Sequence, residues 1–202
     1  CEVIVVDDFR SGSFANIVEA FDRRDLAPFS GVVLPFSIED FDFEGLLSAT
    51  EVAAFFHLAA ITDTTVADEA AMIEANTTPM TPIMAACVSA GVPLVYASSA
   101  ATYGASADFE PVPANEGPLN VYGYSKLAFD QHVRSLMPAI QSPVVGLRYF
   151  NVFGPREHHK GRMMSVLHQL LRQLKETGAC RLFKGTDGFG DGEQQRDFVF
   201  VG

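Results

Sequence analysis

The stretch C-E-V-I-V-V-D-D, residues 1–8, decides the fold. Its β-branched run at residues 3–6 shows no alternation of apolar and polar side chains. That is the pattern of a strand buried on both faces, and such strands belong to parallel sheets. The run ends on two carboxylates, Asp7 and Asp8, and a polar turn at residues 10–13 leads into F-A-N-I-V-E-A-F, whose apolar residues fit a helical face. Further short strands are predicted at residues 32–36, 52–57, 92–97 and 144–150, with helical patterns at 40–47, 66–90, 122–137 and 163–177. Pro79 and Pro82 are points of interruption in the longest of these, because proline lacks a backbone donor. Gly91 and Gly178 are placed to stop the helices they follow. Strands alternating with helices over this length predict an α/β doubly wound fold with a parallel sheet.

Ligands bind such folds at the carboxyl ends of the strands, and the polar punctuation falls there: Asp7 and Asp8, then residues 57–65, then Ser98 and Ser99, then Asn151. Turn-forming residues explain any one of these clusters, and explain all four less well. Between the last two lies V-Y-G-Y-S-K, residues 121–126. Tyr122 and Lys126 are four positions apart, so on a helix both project from one face, one turn from each other. A cation that close to a phenol favours the phenolate and is expected to lower its pKa into a useful range for a base. Tyr124 lacks that spacing. The other reading of the pair is a solvated Tyr/Lys couple on a surface helix.

The 202 residues, 48% hydrophobic and 19% charged, carry a formal net charge of -11. That charge and the absence of any basic run argue against a nucleic-acid partner. Apolar runs are too short to span a bilayer as a helix, which argues against a membrane partner. Cys1, Cys87 and Cys180 lie far apart without ligand spacing, so they fit incidental thiols in a reducing cytosol, and no metal site is expected.

In its order of motifs the chain resembles the extended short-chain dehydrogenase/reductase family of nucleotide-sugar enzymes, the NAD-dependent epimerases and dehydratases. The motifs are H-L-A-A after a strand, Y-A-S-S-A-A-T-Y-G, Y-G-Y-S-K, L-R-Y-F-N-V-F-G-P-R and R-D-F-V-F-V. The run N-V-F-G-P-R-E-H-H-K-G-R-M is similar to the branch that acts on ADP-heptose. The resemblance implies a Rossmann-like domain over residues 1–150, with residues 151–202 beginning a substrate lobe and returning to the first domain. It implies an isomerase that inverts C6 of ADP-glycero-manno-heptose by transient oxidation and re-reduction, in cytoplasmic lipopolysaccharide precursor synthesis. A UDP-hexose 4-epimerase and a non-catalytic nucleotide-binding fragment are the alternatives. Dehydratases of the family ordinarily carry an acidic residue beside the active serine, where this chain has Ala100, Ala101 and Thr102.

The resemblance also assigns roles. Asp7 and Asp8 would accept hydrogen bonds from the adenosine ribose of NAD or NADP, and His57, Leu58, Ala59 and Ala60 would pass under the cofactor, with Asn76 and Val152 nearby. The alternative for His57 is a satisfied, half-buried histidine, and for Asn76 a solvated helix position. Ser99 would hydrogen-bond the reacting oxygen, with Ser98 open as the other candidate. Tyr122 would act as acid/base, and Lys126 would lower its pKa and bind the nicotinamide ribose. Lys160 would be a second acid/base on the opposite side, which requires burial or neighbouring charge to bring a lysine's pKa down. Asn151, Arg162, Phe183 and Arg196 would contact substrate, Arg196 through the diphosphate. The stretch G-T-D-G-F-G-D-G-E-Q-Q, residues 185–195, reads as a mobile loop. A homo-oligomer is implied for the full-length protein.

The family's Gly-rich pyrophosphate turn is not found in these residues and would lie upstream of Cys1. The chain therefore reads as a fragment at both ends. Its missing strand is placed between the strand at residues 3–6 and that at 52–57, and this chain expressed alone is expected to bind cofactor poorly or misfold.

Overall fold

A computed structural model describes residues 2–22, 27–63, 68–186 and 188–201. The start of the helix predicted at 66–90, the tail of the polar run at 57–65 and Asp187 of the Gly-rich stretch lie outside them. The described residues form two compact units, one from those within 4–8 and 32–149, the other from those within 2–3, 9–31 and 150–201.

In the first unit β1 (Ile4–Val6) pairs in parallel with β2 (Val32–Leu34), Ile4 opposite Val32. A second parallel ladder orders β3 (Phe55–His57), β4 (Leu94–Ser99) and β5 (Val144–Tyr149), with Leu94 opposite Phe55 and Val144. The helices are α2 (Phe43–Ala49), α3 (Glu69–Asn76), α4 (Met80–Ser89) and α5 (Val121–Leu136). Each of three of them starts on a side-chain cap that accepts an otherwise orphan N–H: Asp42 from Gly45, Asp68 from Ala71 and Asn120 from Gly123. The core packs Ile83, Met84 and Cys87 of α4 and Phe129 and Val133 of α5 with Leu94 and Tyr96 of β4. Burying a side chain the size of Leu94 contributes about 2 kcal/mol.

The α/β, parallel, Rossmann-like architecture is the predicted one, with three corrections. The interruption expected in the 66–90 pattern falls at Pro79, which is the N-cap of α4, while Pro82 is accommodated in its first turn, where an N–H has no intrahelical acceptor to lose. Gly91, at φ 70°, ends that helix as expected. Burial on both faces holds for β4 but not for β1, which is half-buried, nor for β3, whose Phe56 is 66% exposed. Among the described residues the strands form three separate sheets rather than one, and no ladder joins β1 to β3, the strands between which a further strand was predicted. Ser98 and Ser99 do not follow β4; they are its last two residues.

The second unit holds α1 (Phe14–Asp22), the parallel pair β6 (Asn151–Phe153) and β7 (Phe198–Phe200), a 3-10 turn at His158–Met163 and α6 (Val166–Thr177). Ser165 caps α6 by accepting from His168 N, and Gly178 at φ 73° closes it. The expected mobile loop is cross-linked in its described part: Gly192 N donates to Phe183 O at 2.9 Å and Gly185 N to the Asp191 carboxylate at 2.7 Å.

Candidate active site

A serine cap and two glycine-dependent contacts set the geometry around β4. Ser99 ends the strand and accepts a hydrogen bond from Ala101 N at 3.1 Å, starting the 3-10 turn Ala100–Tyr103. Gly104 follows at φ 58°, where a Cβ would stand 1.7 Å from the Gly117 carbonyl oxygen, so only glycine lets that loop close. At Gly123 a Cβ would meet the Ala101 carbonyl oxygen at 2.6 Å. The first turn of α5 is thus pressed onto the turn that follows Ser99, which brings the Tyr122 phenol under the influence of the Ser99 hydroxyl.

Tyr122 is half-buried. Burial raises its pKa, and the Ser99 hydroxyl, which favours the phenolate, works the other way. Lys126 is 7% exposed, its Nζ donating to the Ala97 carbonyl at 3.1 Å and lying 6.0 Å from the Tyr122 ring centroid. Burial lowers the Lys126 pKa to about 8, against the pull of the Asp130 carboxylate. The expected lowering of Tyr122 by Lys126 is therefore not what this arrangement produces: desolvation dominates the phenol, and the ammonium is turned to a carbonyl. Tyr124 is 57% exposed.

The two adjacent serines separate. Ser98 donates to the Asp130 carboxylate at 2.9 Å, and that carboxylate also accepts from the Tyr96 hydroxyl at 2.9 Å and from Arg148 Nε and Nη2 at 3.1 and 3.0 Å. Arg148 further pairs with Glu116, which is gripped by Arg134 as well, and its guanidinium lies 4.8 Å from the Tyr103 ring centroid. Burial would raise the Glu116 carboxyl, but hydrogen bonds from Arg134 and Arg148 hold it below its usual value. The predicted substrate contact Ser98 is thus committed to a buried ionic network. Asp130, Arg148 and Glu116 were missed by the sequence reading. The one available signal was that Arg148 belongs to a quoted motif.

His57, 6% exposed, is buried more deeply than the half-buried alternative. Burial, helped by the Lys126 charge, lowers its pKa to about 4, so it is neutral. Leu58 and Ala59 are exposed beyond β3. Asn76 is not a solvated helix residue: at 3% exposure it brackets Ile61, accepting from its N at 2.7 Å and donating to its O at 2.9 Å, and donates to Ser125 Oγ on α5 at 3.1 Å. Asp7 and Asp8 lie exposed at the carboxyl end of β1. These residues suit a dinucleotide: exposed carboxylates for ribose hydroxyls, small residues beyond β3, and a buried ammonium with one of three donors on a protein carbonyl.

The remaining predicted residues belong to the second unit. Asn151 gives both its backbone N, at 3.2 Å, and its side-chain amide, at 3.0 Å, to the Asp197 carbonyl, so it ties β6 to the start of β7. Lys160, Arg162, Phe183 and Arg196 are exposed. Val152, Gly154, Glu157, His159 and Lys160 line a cavity of about 240 Å³. Among the described residues no cluster of His, Cys, Asp or Glu could hold a metal ion.

A family model described as the NAD dependent epimerase/dehydratase family matches residues 2–202. ADP-L-glycero-D-manno-heptose-6-epimerase of Alkalilimnicola ehrlichii is 46% identical over 205 residues, covering 99% of this chain and 60% of that protein. The solved ADP-L-glycero-D-manno-heptose-6-epimerase of Helicobacter pylori matches with a TM-score of 0.81 at 34% identity, over 98% of this chain and 60% of that one. UDP-N-acetylglucosamine 4-epimerase of Methanobrevibacter ruminantium matches with a TM-score of 0.80 at 25% identity, over 98% and 61%. This chain spans about 60% of the length of the relatives it matches.

Proposed function

The chain belongs to the NAD dependent epimerase/dehydratase family, and from that premise we propose that its protein inverts C6 of ADP-glycero-manno-heptose. The observation that carries the reading is the Tyr122 phenol, influenced by the Ser99 hydroxyl and one turn from the buried Lys126. The likeness to two heptose epimerases supports the substrate.

When bound, a nicotinamide dinucleotide, NAD or NADP, supplies a hydride acceptor that becomes the donor to the same carbon. The protein's part is to bind and to move protons. Asp7 and Asp8 accept from the adenosine ribose, residues 57–60 run beneath the dinucleotide, and Lys126 donates to the nicotinamide ribose. Asn76 acts at one remove, holding the loop at Ile61 against α5. Tyr122 exchanges a proton with the C6 oxygen while Ser99 orients it. Inversion requires the carbonyl intermediate to present its other face, and Lys160 handles the proton on that side. Asn151, Val152, Arg162, Phe183 and Arg196 belong to the beginning of the substrate lobe. The reaction belongs to cytoplasmic lipopolysaccharide precursor synthesis, by a homo-oligomer. No helix among the described residues is long and apolar enough to cross a membrane.

The test is proton NMR at C6 after incubating the full-length protein with ADP-D-glycero-D-manno-heptose, beside Tyr122→Phe and Lys160→Met. Inversion by the wild type and its loss in both variants is expected. No inversion, with activity on UDP-galactose instead, would sink the assignment.

A further inference from the structure

We infer that Glu157 is a positioning residue for Lys160, an inference that rests on the two-sided proton transfer proposed above. Glu157 is 5% exposed in a loop of otherwise exposed polar residues, and a carboxylate that deep needs partners. It has three. Oε1 accepts from Gly154 N and from Ser165 Oγ, both at 2.9 Å, and Oε2 accepts from Ser165 N at 2.6 Å. Burial would raise its pKa, but those bonds hold it lower, so the group is an anion.

The bonds join the two ends of one segment, Gly154 before it and Ser165 after it, and Lys160 sits between. Lys160 N donates to the Glu157 carbonyl at 2.9 Å, so the backbone carrying the lysine hangs from the stapled residue. Two left-handed positions flank this turn, Arg156 at φ 65° and Gly161 at φ 55°. For arginine that conformation costs about 1–2 kcal/mol, so the turn needs something to hold it, and the carboxylate does so. Glu157 and Lys160 line the same cavity. Glutamine cannot replace the staple, since its amide would face Ser165 N–H donor to donor, and aspartate is one methylene short.

The rival account is that Glu157 only supports α6, which Ser165 caps. The two are separated by presenting each pure C6 epimer to the full-length protein and following reduction of its bound cofactor in a single turnover. If Lys160 serves one face, Lys160→Met slows oxidation of one epimer and spares the other. Glu157→Gln is expected to slow the same epimer about 100-fold, the cost of a misplaced catalytic group, and the double variant to be no slower than Lys160→Met. Amide hydrogen exchange at residues 158–163 should quicken in Glu157→Gln. Equal slowing of both epimers, multiplicative loss in the double variant, or unchanged exchange would overturn the inference. Lack of asymmetry in Lys160→Met would instead remove the two-sided reading itself. If Glu157→Gln does not fold, Ser165→Ala decides: it removes one Glu157 bond of three together with the α6 cap, so the inference requires the same one-epimer loss in smaller measure, whereas equal slowing of both epimers would overturn it.

Discussion

Lys126 and Tyr122 stand one turn apart on α5, yet the ammonium is 6.0 Å from the phenol's ring centroid and donates to the Ala97 carbonyl. A buried cation held by one carbonyl and a carboxylate at longer range is a cost to the fold. The unfolded chain keeps this proton to about pH 10.5 and the folded one only to about 8. Stability therefore rises with pH between those values.

At pH 7 the fold carries that penalty in full, roughly 3 kcal/mol. Lys126→Met should accordingly raise the melting temperature at pH 7 by about 5 °C while abolishing turnover. It should also flatten the rise in stability between pH 8 and 10.5. A lower melting temperature in the variant would show the burial cost to be misjudged.

His57 gives the complementary window on the acid side. Its pKa falls from 6.5 to about 4 on folding, so the unfolded chain binds more protons between those values and stability is lost as pH drops through them. The full loss is about 3 kcal/mol. Urea melts at pH 7 and pH 4 should show His57→Gln narrowing that difference, and an NMR titration should find His57 neutral at pH 6. Protonation of His57 near its ordinary value would contradict the assignment.

The alternation that made the fold legible is local: a β-branched run, a helical face, a glycine stop. What escaped was non-local. Nothing near Asp130 marks it as buried, since an acid one turn beyond a lysine is ordinary helix surface. Its burial depends on Arg148, eighteen positions on, and on Ser98, thirty-two back. The pairing of β6 with β7 is hidden for the same reason, two three-residue strands brought together from distant parts of the chain. Tyr122 was legible from its spacing to Lys126. The direction of its pKa shift was not, because spacing reports proximity and says nothing of desolvation.

The Asp130–Arg148 pair should be costly to break. Arg148 has 10% of its side chain exposed and Asp130 7%, so removing either leaves a charge buried beside fewer partners. Arg148→Leu should lower unfolding free energy by about 3–5 kcal/mol in denaturant titrations. Asp130→Asn should cost less, because the amide oxygen still accepts hydrogen bonds. Equal, small effects would place the pair in solvent-like surroundings.

The adjacent serines should part company under the same substitution. Ser98→Ala removes a bond to the Asp130 carboxylate, one of the charge-assisted kind that contributes about 1.5–3 kcal/mol. Turnover should fall little once the protein is folded, because Tyr122 keeps Ser99. Ser99→Ala leaves the Asp130 network whole and takes away the hydroxyl beside the phenol, so kcat should fall about 100-fold or more, with a smaller loss of stability than in Ser98→Ala, about 1 kcal/mol, from the Ala101 N–H that loses its acceptor. Measuring both quantities on both variants decides the matter. If Ser98→Ala lost turnover at unchanged stability, the reacting oxygen would belong to the other serine, and the geometry that joins Ser99 to Tyr122 would have to be rearranged on binding substrate.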